Sequence, residues 1–520
     1  MNQSVEHQLK KLEAAEVVDL LRGGLKGLEK ESLRATYKGQ LAQTAHYRSL
    51  GSALTHPNIT TDYSEALLEL VTGPHADPIG ALAELDVIHR FTYQNIGDEV
   101  LWNASMPCIV HGEASIPIAK YGSSNKAIMK EIYRIGLGHR YGRVMQVIAG
   151  IHFNYSLPEP FWPHWQKVEN DTSPLVEYKS QKYMGLVRNY LRADWLILYL
   201  FGASPTLCKS FFTDMPNHNL DILDDATVYS TFGTSLRMSD LGYQNKAAFK
   251  VSRDSMASYV NSLDKAVFTP YPPFEKIGLK ENGAYKQLNT NILQIANEFY
   301  SAIRPKQPMQ PGERPTTALR KRGIAYVEVR SIDINPIEPV GVSPAQLRFL
   351  EALLITCALA ESPSIDPNEL NMIRHNQLQV AREGRRPGLM LQRMAGKVDL
   401  KEWAREIFDA MYPVCAILDE NEPYRPYTIA LDRQRQKVFD PDLTPSAKML
   451  AELRHFGESF YQYGMRKSLT LQKYFLDRPL PDDLSDIYTE KAKLSLSRQQ
   501  QIEEKDSLSF EAYLQAYFGS

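Results

Sequence analysis

The chain has 520 residues, 43% of them hydrophobic and 23% charged, and 59 basic against 61 acidic side chains leave a formal net charge of -2. That balance belongs to a soluble globular protein with a large core; it excludes wholesale disorder and offers no global field for nucleic acid or an anionic membrane, so small molecules are the expected partners. Cys108, Cys208, Cys357 and Cys415 are scattered with no Cys-x-x-Cys spacing, which fits a reducing compartment.

The first informative stretch is Gly27-Leu28-Glu29-Lys30-Glu31-Ser32-Leu33-Arg34, in which a strand would aim both glutamates at one face. At a rise of about 3.3 Å per residue they sit roughly 6.6 Å apart. At an effective dielectric of about 20 their repulsion is roughly 2.5 kcal/mol, which a bound divalent cation reverses. Taken alone the octet reads more simply as an exposed hairpin, with Tyr37 to Gln40 as its turn and Lys30 and Arg34 solvated. Thr60 to Val71 carries Asp62, Glu65 and Glu69 at helical spacing, yet Leu67 to Val71 reads equally well as a strand. The periodicity predicts helices over Pro78 to Leu101 and Lys126 to His139, the second with Tyr133 toward the core and Arg134 on the surface.

Val144 to Leu157 is the most readable strand, with Ile151, Phe153, Tyr155 and Leu157 alternating against His152, Asn154 and Ser156, and Gln146 on the polar side by parity. A single histidine there is more often hydrogen-bonded than metal-bound. Tyr183 to Tyr199 reads as an aromatic-rich helix. Arg237 lies in an otherwise uncharged strand-like segment before Gly242 and Tyr243; its planar fork suits a carboxylate, and a salt bridge to Asp240 is as good an account. Asn289 to Arg304 is strand-like at its end, and the basic, proline-rich stretch from Arg304 to Arg314 reads as an exposed loop able to cover a ligand. In Tyr326 to Asn335, parity sets Tyr326, Glu328 and Arg330 on one face; a carboxylate beside a guanidinium suits metal-bound phosphate or a plain ion pair. Ser343-Pro344-Ala345-Gln346 starts a scaffold helix through a capping box. Its apolar run, Ala352 to Ala360, is too short to span a bilayer, and the N-terminus lacks the apolar core of a secretory signal, so a cytoplasmic protein is expected. Leu370 to Arg386 reads as a basic helix, and Glu490 to Asp506 as a solvated helical face. No internal repeat, Walker loop or dinucleotide fingerprint is present.

In order and spacing these segments resemble the bacterial monofunctional glutamate-cysteine ligases, also called gamma-glutamylcysteine synthetases. The resemblance rests on Gly27-Leu-Glu-Lys-Glu-Ser-Leu-Arg34, Gly51-Ser-Ala-Leu-Thr-His56, Thr60 to Glu69, Ser105-Met-Pro-Cys108, Arg140-Tyr-Gly142, His152-Phe-Asn-Tyr-Ser-Leu-Pro158, Leu200-Phe-Gly-Ala-Ser-Pro205, Ser235 to Tyr243 and Tyr326-Val-Glu-Val-Arg-Ser331. It implies an α+β fold related to glutamine synthetase, with a curved antiparallel sheet forming a funnel and helices packed outside. Residues 1–520 are expected to form a single catalytic unit whose portion from about 388 onward is mostly helical. The resemblance also implies L-glutamate, L-cysteine and ATP as substrates and Mg²⁺, or Mn²⁺, as cofactor. It places Glu29, Glu31, Asp62, Glu69, His152 and Glu328 at metal positions and Arg330 at a phosphate-contacting position, with Arg330 and Glu328 as catalytic residues. Tyr133, Arg237, Tyr243 and Tyr300 match positions lining the amino-acid pockets. A monomer without nucleic-acid or membrane partners is expected. The competing readings are a related carboxylate-amine ligase with another acceptor and a non-catalytic divalent-cation-binding protein.

Overall fold

Leu25–Ala35 forms one long strand, β1, and the sheet grows from both of its edges. The computed structural model describes residues 2–107, 109–212, 219–242 and 249–519. Within them six further strands complete the sheet: β2 Ile59–Thr61, β3 Leu67–Val71, β4 Val100–Trp102, β5 Ile151–Ser156, β6 Ile303–Lys306 and β7 Tyr326–Ile332. Their order is β6-β7-β5-β1-β3-β2, β4 pairs the end of β1, and every pairing is antiparallel. The expected α+β class with an antiparallel sheet is therefore the class adopted, as an open sheet rather than a closed barrel. The register between β7 and β5 shifts between Val329 and Ile332, and such irregularities bend a strand and increase its twist.

Helices lie on both sides of the sheet. The main ones are α1 Pro78–Asn95, α2 Asn125–Tyr141, α3 Leu175–Phe201 and α4 Pro344–Leu359, followed after residue 400 by a mostly helical portion that ends in α5 Asp482–Lys505 and α6 Phe510–Gly519. Several starts are set by their own sequence. Asp77 accepts from Gly80 N at α1, and Ser343 and Gln346 form the reciprocal capping box read from the sequence at α4. The core lies where α3 and α4, almost wholly buried, meet Leu28, Phe153, Tyr155, Val327 and Val329 of the sheet.

Several expectations are corrected by tertiary context. Thr60 to Val71, which the periodicity leaves open between helix and strand, takes the strand alternative, because β3 finds a partner on each edge. Only Ile151–Ser156 of the long strand expected from Val144 is extended, and Val144–Val147 makes a turn of 3₁₀ helix. Arg237 sits in another such turn, Leu236–Met238, and its acidic neighbour is Asp333, while Asp240 pairs with Arg382. Lys30 and Arg34 are buried rather than solvated: Lys30 Nζ meets His89 Nε2 at 2.9 Å, and Arg34 binds Glu99 at 2.6 Å and the carbonyls of Thr44 and Glu65 at 2.9 Å each. Cys208, Cys357 and Cys415 are free and buried, and Cys108 lies outside the described residues. Among the described residues no helix is long and apolar enough to cross a membrane.

The sheet is fastened to α4 by one buried ion pair, Lys26 Nζ to Glu351 Oε1 at 2.6 Å, both side chains 1% exposed, with Tyr427 donating to Glu351 Oε2 at 2.7 Å. Removing one partner strands a buried charge, so Glu351→Leu should cost about 3 to 5 kcal/mol in urea denaturation at neutral pH. Adding Lys26→Met should restore more than half of that, and a single-variant loss below about 1 kcal/mol would show that the pair does not hold the elements together.

Candidate active site

Register alone carries the acidic residues to one place. Glu31 of β1 stands opposite Glu69 of β3, and Glu29 stands opposite His152 of β5. One strand further, Glu328 of β7 is opposite Asn154 of β5 and, on its other side, opposite Arg304 of β6. Asp62 follows the end of β2. All six expected metal residues, Glu29, Glu31, Asp62, Glu69, His152 and Glu328, line one cavity of about 740 Å³. Tyr133, Arg237, Tyr300 and Arg330 line it as well, while Tyr243 lies outside the described residues. Glu65, at helical spacing from Glu69, turns away and accepts from His46 N and Lys120 N.

The carboxylates fall into two electrostatic groups. His152 Nδ1 is 2.8 Å from Glu29 Oε2 and its Nε2 is 3.6 Å from Glu31 Oε1, so the ring bridges the pair. Burial works against the charge on Glu29, but the bond to His152 prevails and holds the carboxyl below its usual range. Glu328 is 1% exposed; burial again opposes its charge, and Lys306 at 3.0 Å with Arg330 at 3.1 Å overcomes it, keeping the carboxyl well below the usual range. At Glu31 and Glu69 burial prevails: His152, Arg237 and Arg330 oppose it at Glu31, and Lys130 at Glu69, without overcoming it. Burial raises both, and for Glu69 the neighbouring Glu29, Asp62 and Glu31 charges lift it far above an ordinary carboxylate. This half of the cavity is short of positive charge.

Donor atoms of Glu29, His152 and Glu328 lie within 4.8 Å of one another, close enough to ligate one ion. Glu31 Oε2 is partly engaged by Gly150 N at 2.6 Å. Among the described residues two buried guanidinium atoms, Arg330 Nε and Arg304 Nε, have no hydrogen-bond partner, which leaves donors for an anionic ligand. Burial lowers Arg304 from its usual range and the like charge of Arg330 adds to the shift, as expected where an anion is wanted. The residue set fits a hard divalent cation held next to phosphate.

At the other end of the cavity Arg237 is fixed from behind. It donates to the Arg330 carbonyl at 2.8 Å and pairs with Asp333 at 3.5 Å. Asp333, fully buried, also accepts from Ala203 N at 2.8 Å, Ser204 Oγ at 2.6 Å and Ser235 Oγ at 3.0 Å. Tyr300 donates to Met238 Sδ at 3.1 Å, beside that guanidinium. On α2, Tyr133 lines the cavity, and Arg134 departs from its expected place on the surface: it is buried, binding the carbonyls of Asp62 and of Lys130. Sequence reasoning gave no role to Lys306, in a stretch read as loop, to Arg304, at the end of a strand-like segment where that loop begins, or to Lys130. For the first two the signal was present, since Arg304 and Lys306 alternate with Ile303 and Pro305 as β6 requires.

Residues 9–380 match the glutamate-cysteine ligase family. The chain belongs to that family. The ligase is 48% identical over 505 residues to the glutamate-cysteine ligase of Pseudomonas entomophila (strain L48), covering 97% of this chain and 95% of the relative. It is 45% identical over 521 residues to that of Alcanivorax borkumensis (strain SK2), covering 99% of each. The crystal structure of the Francisella tularensis glutamate-cysteine ligase in complex with AMP superposes with a TM-score of 0.90 at 36% identity, over 96% of this chain and 98% of that one. A bifunctional glutathione synthetase from Pasteurella multocida shares the fold at a TM-score of 0.74 and 23% identity, over 94% of this chain and 58% of the larger one. The present protein is thus an enzyme, a ligase.

A Cβ on Gly150 would collide with the Arg237 guanidinium. Gly150→Ala should displace that fork and lower kcat/KM for the amino-acid substrates by about a hundredfold, the cost of roughly an ångström of misplacement. Steady-state kinetics with matched circular dichroism checks this, and an unchanged kcat/KM would remove Arg237 from the working site.

Proposed function

We propose that this ligase joins the side-chain carboxylate of L-glutamate to the amine of L-cysteine, using ATP and Mg²⁺ or Mn²⁺ and passing through a gamma-glutamyl phosphate. The observation that carries this reading is the convergence of Glu29, Glu31, Asp62, Glu69, His152 and Glu328 on one cavity, beside the Nε donors of Arg330 and Arg304, which no group among the described residues satisfies. Family membership and the AMP held by the Francisella relative support ATP as the nucleotide.

A carboxylate is a poor acyl donor. Its attack on the terminal phosphorus of ATP expels ADP and gives an acyl phosphate, and the cysteine amine then displaces phosphate, forming the amide. Glu29, His152 and Glu328 would hold one divalent cation, and Glu31, Asp62 and Glu69 offer further ligands. Such an ion, when bound, screens the triphosphate so that an anionic carboxylate can approach it. The chain's own residues do the rest by placement. Glu328 anchors Arg330 on one side, leaving the Nε edge of its fork for phosphoryl oxygen. Lys306 adds a second cation at the same carboxylate. Arg237, Tyr300, Tyr133 and, beyond the described residues, Tyr243 would hold the amino acids, with Arg237 braced by Asp333 against a substrate carboxylate. No protein nucleophile is needed, and catalysis is positioning and charge neutralisation.

The whole chain reads as one catalytic unit, since a continuous core runs from Val5 to Tyr488, and as a cytoplasmic monomer acting on small molecules. ADP release should require glutamate and cysteine together, cease with EDTA and return with Mg²⁺. Release with another amine but not cysteine would favour the related ligase, and cation binding without turnover would favour a mere binding protein.

Glu328→Gln and Arg330→Lys should each lower kcat by about a hundredfold or more with the fold kept, as for loss of one transition-state donor. Near-normal rates at saturating Mg²⁺ would contradict the roles given to both.

A further inference from the structure

Arg140-Tyr141-Gly142 is a stretch of the sequence to which the reaction gives no task. It closes α2, where Gly142 takes a φ of 91° that glycine adopts without strain and the helix stops. Tyr133 lies seven residues back on the same helix, close to two turns, and lines the cavity. Arg140 and Tyr141 instead bond to the segment that leads to Tyr300, a second tyrosine of the amino-acid pocket.

All three nitrogens of the Arg140 guanidinium are engaged, and every hydrogen-bond partner belongs to that segment, residues 287–300. Nε donates to Gln287 Oε1 at 2.9 Å, Nη1 to Glu298 Oε1 at 2.9 Å and Nη2 to the Asn289 carbonyl at 2.7 Å, and the guanidinium lies 4.2 Å from the centre of the Phe274 ring. Both charged side chains of the pair are fully buried. Tyr141 adds a bond to Glu298 Oε1 at 2.7 Å, and Glu298 Oε2 accepts from Gln294 N at 2.7 Å. Gln294 closes the circuit: its Nε2 donates to the carbonyl of Tyr133 at 3.1 Å, and its side chain lies so near Gly136 that a Cβ there would collide with it. From another direction Arg304 Nη2 donates to the carbonyls of Asn297, at 3.0 Å, and of Phe299, the residues on either side of Glu298. Glu298 is part of the cavity lining, and its charge adds to burial in raising the Tyr133 hydroxyl.

We infer that the Arg140 and Glu298 pair is a positioning clamp for the amino-acid pocket, setting Tyr133 of α2 at a fixed distance and angle from Tyr300. The inference rests on the reading that these tyrosines meet substrate, and it adds what holds them in register. A buried ion pair contributes little net stability, because desolvation offsets its attraction. What a planar fork with three partners supplies is geometry, which apolar packing would leave looser. Neither residue takes part in the chemistry; both act through the tyrosines they place.

The test uses the full-length enzyme with Mg²⁺. Arg140→Lys keeps a charge beside Glu298 but loses the fork that spans Gln287 and Asn289, and Glu298→Gln keeps an acceptor for Tyr141 but ends the ion pair. Each should raise the KM of glutamate or cysteine about tenfold or more, part of the hundredfold that roughly an ångström of misplacement can cost. The KM for ATP should stay within about twofold. A pair that served stability alone would lower the urea midpoint and the active fraction and leave the KM values of the folded enzyme unchanged, which overturns the inference. A KM shift in Glu298→Gln without one in Arg140→Lys overturns it too, since Glu298 would then be a direct contact. If neither variant folds, hydrogen exchange in the unmodified enzyme decides: glutamate and cysteine without ATP should slow exchange over residues 130–141 and 287–300 together, and protection of one segment alone overturns the clamp. Unchanged amino-acid KM values in Tyr133→Ala and Tyr300→Ala would instead sink the reading of the pocket on which the clamp rests.

Discussion

The structure depends on holding several carboxylates on one face of an antiparallel sheet without letting them push it apart. A pair of glutamates at i and i+2 on a strand repels by roughly 2.5 kcal/mol at an effective dielectric of about 20, and the register adds Glu69 beside Glu31 and Glu328 across from Asn154. The relief is local and uneven. His152, Lys306 and Arg330 quiet the Glu29 and Glu328 half, whereas Glu31 and Glu69 stay raised by burial, with Asp62 adding at both and Glu29 and Glu31 adding at Glu69. Carboxylates set this way share a like-charge cost that a positive partner in the cavity would remove.

The back of the same strand explains why the repulsion is not relieved from behind. Lys30 and Arg34 sit on the opposite face of β1, but each is used where it stands: Lys30 by His89 and Asn103, Arg34 by Glu99. Burial also brings the Lys30 ammonium down to about 7, which weakens it as a fixed counter-charge. The front face must therefore find its cations in the cavity, and Lys306, Arg330 and Arg304 reach it from the edge of the sheet. Rigid backing completes the arrangement. Asp333 with its serine and amide donors fixes Arg237, and the Lys26 to Glu351 pair ties β1 to α4, so the charged side chains are carried on elements with little freedom to relax away.

The helical portion after residue 400 is more than an appendage to this sheet. α5 and α6 return to the start of α2, the helix that brings Lys130, Tyr133 and Arg134 to the cavity, and hold it through Asp506 and Glu503. A carboxylate placed at a helix N-terminus is favourable for the helix it caps as well as for the contact.

What the sequence by itself determined is the set of local facts that depend only on neighbouring residues: parity on β1, β5 and β7, the capping box at Ser343, and the absence of a Walker loop or dinucleotide fingerprint. Glu29 with Glu31 and Glu328 with Arg330 could be read as paired because a strand has a period of two whatever surrounds it. Tertiary structure alone decided which partners those residues met. Helical spacing grouped Glu65 with Glu69, yet cross-strand pairing kept Glu69 in the cavity and sent Glu65 to backbone amides. Arg237 found Asp333 rather than Asp240, Arg134 was drawn inward by the Asp62 carbonyl, and Lys306 joined the site from what read as a loop. The reason is the same in each case: hydrogen-bond register and ion pairing act between segments far apart in the chain, and no local pattern encodes which distant strand will lie alongside.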